Sequence, residues 1–354
     1  MPFRIRPLYL LLIFAPLAVI AELTHGSPVL VFALAALGVI PLAGLVGEGT
    51  EELAAHTGPR IGALLNATLG NAAELIITIF AIREGLLELV KASIVGSIIG
   101  NLLLVLGLSL LLGGLKNGIQ TFDRRNAGVN ATLLIMVLVA FMVPSLFDAA
   151  IADNRAAELG LSEGVAVVMI VLYALAMVYT FTAKGDGVSR QPAEVHHARW
   201  SVRTALGVLA AATVGIVLLS EVLVGAVESV TATLGLTEFF IGIIIIPLVG
   251  NIAEHLVAVE VALKNRMELS LGVSLGSSLQ IALFVAPVLV FVSLLFGETL
   301  LLVYNTFELV ALAAASIIAA FIALDGESNW LEGAMLLAVY AILAIAFFYL
   351  PAAL

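Results

Sequence analysis

The 354-residue chain has no cysteine, only five histidines and few charges: Asp, Glu, Lys and Arg together make up 11% of it. The missing cysteine excludes a disulfide framework, thiol chemistry and any cysteine-based metal site. The shortage of histidine argues against a centre for softer metals. A soluble domain carries about 25% charged residues. The low charge, set against 62% hydrophobic residues, therefore excludes a soluble globular chain. No basic run is interleaved with aromatics, so nucleic acid is not an expected partner. The length would allow two or three soluble domains, but this composition replaces them with one bundle of apolar helices. The net charge of −10 says little about partners, because the charges fall in short loops.

What the chain does have is a series of long apolar runs. A spanning helix needs about 20 mostly apolar residues. Eleven runs meet this reading: 7–24, 28–55, 59–84, 89–115, 125–147, 162–183, 201–230, 237–264, 267–297, 300–324 and 329–352. The first follows a basic start and is short, as in a signal peptide. No small-residue cleavage site followed by a soluble domain is evident, so a retained first helix is expected. The longest polar stretch, Lys184 to Arg203, reads as a loop joining two halves.

Lys and Arg set the orientation. With the N-terminus inside, twelve of the fifteen fall on the inner side: Arg4, Arg6, Arg60, Lys116, Arg124, Arg125, Lys184, Arg190, Arg199, Arg203, Lys264 and Arg266. Arg83, Lys91 and Arg155 fall outside. The bias supports a cytoplasmic N-terminus, an external C-terminus and residence in a prokaryotic plasma membrane.

"GNAAE" at 70–74 recurs as "GNIAE" at 250–254, and Gly96-Ser97 recurs as Gly276-Ser277, all at an offset of 180 residues. Helices two to six thus pair with helices seven to eleven. Five helices is an odd number, so the two halves insert with opposite orientation. The expected fold is an all-α polytopic membrane protein: an N-terminal helix (1–25), a five-helix repeat (26–183), a cytoplasmic loop (184–203) and a second, inverted repeat (204–354). Inverted repeats are common in secondary transporters, with the substrate at the midplane.

Glu74 and Glu254 each sit inside an apolar run. An intramembrane carboxylate is expensive and is a functional candidate by default. Asn71 and Asn251 lie three residues earlier, on the same helix face. Gly70, Gly250 and Pro247 loosen the helix there and free backbone carbonyls. Carboxylates, amide oxygens and carbonyls are hard ligands that suit Ca²⁺. Ser97, Asn101, Ser277, Ser278 and Gln280 supply a second wall. Ser97, Ser277 and Gln280 are the stronger candidates; Asn101 and Ser278 read equally well as packing residues. His255 either orients Glu254 or carries protons. Glu48, Glu51, Glu52, Glu221 and Glu228, near helix ends, either draw cations in or are solvated ends. Glu260 and Lys264 have ion-pair spacing. Glu308 has no evident role.

"LLNATLGNAAELI", "FIGIIIIPLVGNIAEH" and "DGESNWLEGAMLLAVY" resemble the H⁺/Ca²⁺ exchanger branch of the cation/Ca²⁺ exchanger superfamily. The resemblance covers about residues 28–352. It implies that Glu74 and Glu254 carry Ca²⁺ and H⁺ alternately, flanked by Asn71, Asn251, Ser97, Ser277 and Gln280. It implies no resident cofactor, the bilayer as surroundings, and Ca²⁺ and H⁺ as substrates. Family members often carry an acidic helix between the halves, whereas here 184–203 holds only Asp186 and Glu194 as acids. Sodium-coupled relatives tend to place a further carboxylate near the position of Gln280, so its absence favours protons.

The expected function is a secondary antiporter exchanging Ca²⁺ for H⁺ by alternating access, with helices one and six rocking against the rest. It is not expected to be an enzyme. A Na⁺/Ca²⁺ exchanger, or a broader divalent cation exchanger, of the same fold is the alternative. A cation channel is a rival from another class, distinguished by conductance without a counter-ion. An intramembrane hydrolase would need a nucleophile–base set that the chain does not offer.

Overall fold

The computed structural model describes residues 7–57, 59–151, 154–182 and 198–351. Arg4, Arg6, Lys184, Asp186, Arg190 and Glu194 lie outside the described residues. The described chain is almost entirely helical. In order it forms α1 (Pro7–Leu23), α2 (Pro28–Thr57), α3 (Pro59–Leu69), α4 (Ala72–Arg83) and α5 (Leu87–Asn117). Then follow α6 (Arg124–Ile151), α7 (Arg155–Thr182), α8 (Val202–Gly225), α9 (Val227–Leu234) and α10 (Glu238–Gly250). The last four are α11 (Ile252–Leu263), α12 (Met267–Leu295), α13 (Thr306–Asp325) and α14 (Trp330–Phe348). A two-residue ladder pairs β1 (Gln120–Thr121) with β2 (Glu327–Ser328).

Eight described helices are long and apolar enough to cross a membrane unaided: α2, α5, α6, α7, α8, α12, α13 and α14. The other expected spans are assembled from pieces. The run 59–84 is broken into α3 and α4 at Gly70-Asn71, and 237–264 into α10 and α11 at Asn251. The two breaks lie 180 residues apart, as the motifs do. The chain also turns through 114° between α9 and α10, at Gly235, whose φ of +65° suits glycine.

Three π-helical segments interrupt these helices: Gly100–Val105 in α5, Ile241–Ile245 in α10 and Ile281–Val285 in α12. Such segments are rare and concentrate at functional sites. The one in α10 has a local cause. Pro247 has no N–H to donate to the Ile243 carbonyl one turn earlier. Gly96 of α5 lies against that carbonyl so closely that a β-carbon there would overlap it. Gly242 is in turn tight against Leu89 and Ala92, so α5 and α10 pack backbone to backbone.

The run 300–324 is a single span only from Thr306 onward, which corrects the expectation. Residues 298–305 are extended, with Leu300, Leu302 and Tyr304 buried. Three serines accept the backbone N–H groups there: Ser293, from the preceding helix, from Leu300 (3.0 Å), and Ser162 and Ser145, from distant helices, from Leu302 (3.2 Å) and Tyr304 (2.9 Å). Buried backbone donors need such partners where no helix supplies them. Glu308 then closes a capping box at the start of α13: its carboxylate accepts from Asn305 N (2.8 Å) while Asn305 Oδ1 accepts from Glu308 N (2.9 Å).

Helices one and six, expected to rock together against the rest, pack on different neighbours. α1 packs on α2 and α8, while α7, the sixth expected span, packs on α6 and α12. The largest helix–helix contact in the molecule is between α2 and α8.

Candidate metal centre

Each GN-x-AE phrase spans a helix break, and the break decides what its residues can do. Asn71 caps α4 and Asn251 caps α11, with nearly the same backbone (φ −99°, ψ 24° and φ −98°, ψ 2°). Neither side chain caps its own helix. Both amides are therefore available to other elements. Glu74 and Glu254 fall in the first turn of their half-helices, where free N–H groups and the helix dipole favour a negative charge. The preceding half-helices end at the same breaks, where Asn66 O accepts from Gly70 N (2.8 Å) and Pro247 O from Asn251 N (3.0 Å).

The two half-helices run to opposite ends of the molecule. α4 leads into the start of α5, and the end of α11 is hydrogen-bonded to the end of α5 through Asn117. Thirty-one residues of helix separate these points, about 46 Å at 1.5 Å per residue. The N-termini of α4 and α11 therefore meet near the middle. There each carboxylate reaches across to the glycine of the other phrase. A β-carbon on Gly250 would lie 3.1 Å from Glu74 Cγ and Cδ, and one on Gly70 would lie 3.5 Å from Glu254 Oε1.

Amides and hydroxyls from α5 and α12 complete the site. Asn71 Nδ2 donates to Gln280 Oε1 (2.8 Å), Asn251 Nδ2 to Ser97 Oγ (3.2 Å) and Asn101 Nδ2 to Ser277 Oγ (3.1 Å). Ser277 Oγ lies 3.4 Å from Asn71 Oδ1 and also bonds Glu254. With Nδ2 engaged, the side-chain oxygens of Asn71 and Asn251 remain as acceptors within the same network. Both oxygens of Glu74 and Oε2 of Glu254 are buried and have no hydrogen-bond partner among the described residues. Buried carboxylate oxygens left in this state call for a cation or a proton. All seven residues expected at the site, Asn71, Glu74, Ser97, Asn251, Glu254, Ser277 and Gln280, thus come together.

A cavity of about 2150 Å³ runs from this site to one end of the molecule. Glu254, Gly70, Gly250, Ser277 and Gln280 line its inner part, and Glu48, Glu51, Asp123, Arg125 and Lys264 line its outer part. Glu74 is buried behind Glu254 and does not line it. Glu260 and Lys264 on its wall form the ion pair that their spacing predicts (2.6 Å).

The other expected residues divide. Glu48 and Glu51 line the cavity. Glu52 does not, which corrects its grouping with them: it is buried and accepts from Arg199 N (2.6 Å) and Trp200 N (3.0 Å), tying the entry to α8 onto α2. Glu221 pairs with Arg83 (3.1 Å) at the opposite end, where Glu228 is exposed; neither lines the cavity. His255 is buried in line with Ala258 and Ala262 and turned away from the cavity. Ser278 donates to its own helix at Ser274 O (2.9 Å), a packing role. Asn101, by contrast, joins the network. Asn66, which the motif reading passed over, lines the cavity one turn before Gly70.

The sodium/calcium exchanger protein family matches two separate blocks, residues 27–182 and 204–349. The chain belongs to the sodium/calcium exchanger family. This family member is 43% identical to a Ca²⁺/H⁺ antiporter of Aphanothece halophytica, over 96% of both chains. It is 45% identical to the Ca²⁺/H⁺ antiporter ChaA of Bacillus subtilis, over 95% of this chain and 96% of that one. Its fold superposes on the structure of native YfkE with a TM-score of 0.87 at 42% identity, covering 98% of this chain and all of the other. Like them it is an integral membrane protein, with apolar helices of spanning length.

Proposed function

We propose that this exchanger-family protein is a Ca²⁺/H⁺ antiporter in which Glu74 and Glu254 hold either one Ca²⁺ or protons. One observation carries the reading: two carboxylates, on half-helices that meet from opposite ends, each sit against the other's glycine with unpartnered oxygens. The pair carries a charge of −2, which one Ca²⁺ or two protons would balance. The pair titrates as a unit rather than as two independent acids. Glu74, Glu254, Asn71, Asn251, Ser97 and Ser277 offer hard oxygens, and Ca²⁺ takes six to eight of these. Gln280 adds no charge, so a third balancing cation is not required. The names of the relatives at 43–45% identity support the same exchange.

The two matched blocks and the paired breaks support eleven crossings, the first outside two inverted five-helix repeats. The Lys and Arg bias supports a cytoplasmic side for the cavity and the N-terminus, with the C-terminus outside. In this state Glu254 is open to the cytoplasm. The layer of α1, α2 and α8 would slide over the remaining helices to close this path and open the other. Ca²⁺ would displace protons from one side, and protons would expel it on the other.

The test is Ca²⁺ uptake into proteoliposomes under an imposed pH gradient without Na⁺. Uptake that follows the gradient and disappears in Glu74→Gln and Glu254→Gln is expected. Uptake that needs Na⁺ would establish a Na⁺/Ca²⁺ exchanger instead.

A further inference from the structure

The half-helix that carries Glu254 is held at its far end by a clamp that its counterpart does not have. α11 ends at Leu263, where Ala262 O accepts from Asn265 N (3.0 Å) in the closing turn and has a second lone pair to offer. Gln120 Nε2, from β1, donates to Ala262 O (3.0 Å) and to Asn265 Oδ1 (3.0 Å). Asn117 Nδ2, from the end of α5, donates to Ala262 O (3.2 Å) and Leu263 O (3.5 Å). Gln120 and Ala262 are buried. The ladder pairs Gln120 with Ser328, and Phe122 N donates to Gly326 O (3.0 Å), which fixes the strand that presents the glutamine. Gly113 of α5 leaves the space that Gln120 fills, since a β-carbon there would overlap its Oε1.

Asn265 makes the arrangement costly as well as specific. Its φ is +59°, one of two positive-φ residues other than glycine among the described residues. That conformation normally selects glycine. In the first half, 180 residues earlier, the position is Gly85 with φ +75°. Ile82 O there accepts from Gly85 N (2.9 Å), as Ala262 O accepts from Asn265 N (3.0 Å) in the second half. Among the described residues that end is tied to another element through the exposed Arg83–Glu221 pair (3.1 Å), not by a side-chain amide donating to its last carbonyls. The second half thus trades an unstrained turn for an amide that Gln120 can hold.

α11 lines the cavity with one face and packs on α5, α12 and α2 with the rest. Its 12 residues extend about 18 Å, so a small swing at the clamped end is passed directly to the first turn, where Glu254 sits. We propose that Gln120, with Asn265 as its acceptor, is a positioning residue that sets where Glu254 stands opposite Asn71 and Ser277. The proposal rests on the antiporter reading above.

The experiment compares Gln120→Leu and Asn265→Gly with the unaltered full chain in proteoliposomes. Gln120→Leu keeps the bulk and removes the donors. Asn265→Gly removes the acceptor and relieves the backbone. The measurements are Ca²⁺ half-saturation, maximal rate, thermal midpoint and amide hydrogen exchange of residues 255–263. Gln120→Leu should raise half-saturation about 3- to 10-fold, as loss of a buried hydrogen bond implies, with the maximal rate changed less than about 2-fold. Asn265→Gly should shift half-saturation the same way without lowering the thermal midpoint, which a merely structural role would not do. Exchange across 255–263 should quicken in both. Unchanged half-saturation in both variants, or unchanged exchange, overturns the proposal. If the unaltered protein moves no Ca²⁺, the antiporter reading falls, and the exchange measurement alone still decides whether the clamp holds α11.

Discussion

Replacing Gly250 by alanine tests the crossed arrangement of the two carboxylates. The added β-carbon would stand 3.1 Å from Glu74 Cγ and Cδ and 3.2 Å from Oε1. Comfortable contact begins at about 3.5–4.0 Å, so the Glu74 side chain must retreat by about 0.3–0.9 Å. Overpacking of this kind costs about 1–3 kcal/mol. Because the displaced atoms are proposed Ca²⁺ ligands, the cost should appear in binding, as a rise in half-saturation of about 5- to 150-fold at 1.4 kcal/mol per decade. The control is Gly276→Ala. Its β-carbon meets nothing within 4 Å, although it adjoins Ser277. Within a helix, glycine to alanine is otherwise stabilising by about 0.5–1 kcal/mol, so Gly276→Ala should leave Ca²⁺ affinity unchanged and raise the thermal midpoint slightly. The assay is Ca²⁺ uptake into proteoliposomes over a range of Ca²⁺ concentrations. Equal half-saturation in the two alanine variants would refute the reasoning.

Further outcomes follow from other contacts. Ser277→Ala strands Asn101 Nδ2 and removes a hydrogen bond from Glu254; Ca²⁺ half-saturation should rise about 5- to 30-fold from one to two lost hydrogen bonds, read in the same uptake assay. Glu52→Leu removes the acceptor of two backbone N–H groups; it should lower stability by about 2 kcal/mol, seen as a lower thermal midpoint, and leave Ca²⁺ half-saturation within about 2-fold, because Glu52 does not line the cavity. Acidification should weaken Ca²⁺ binding, since a protonated carboxylate holds no metal; where both members of the pair bind protons, half-saturation should rise by up to about 100-fold per pH unit, measured by Ca²⁺ titration across pH.

Much of this was legible from the sequence because the membrane imposes simple rules. Apolar runs of sufficient length and a one-sided Lys and Arg distribution depend on composition alone. The doubled GN-x-AE phrase carried the site, since a carboxylate in an apolar run is rarely idle. Less legible was anything that depends on partners distant in the chain. Residues 300–304 are as apolar as a span, yet Leu302 and Tyr304 have their N–H groups held by Ser162 and Ser145 instead of by helical bonds. Asn101 was undervalued because its offset partner is Ile281, whereas the π-segments in α5 and α12 alter the helical register beside the site. Glu52 reads like Glu48 and Glu51 in sequence: it points about 100° from Glu51 but shares a face with Glu48, and only the fold brings Arg199 to it. That each glutamate lies against the opposite glycine could not be read from spacing at all.

The central claim is that Ca²⁺ and protons occupy the same two carboxylates. Proton release on adding Ca²⁺ to the purified protein in weak buffer near neutral pH tests it most directly. Release that saturates with Ca²⁺ binding, falls in each single glutamine variant and vanishes in Glu74→Gln/Glu254→Gln is the predicted result. Ca²⁺ binding without proton release, or release that persists in the double variant, would contradict it.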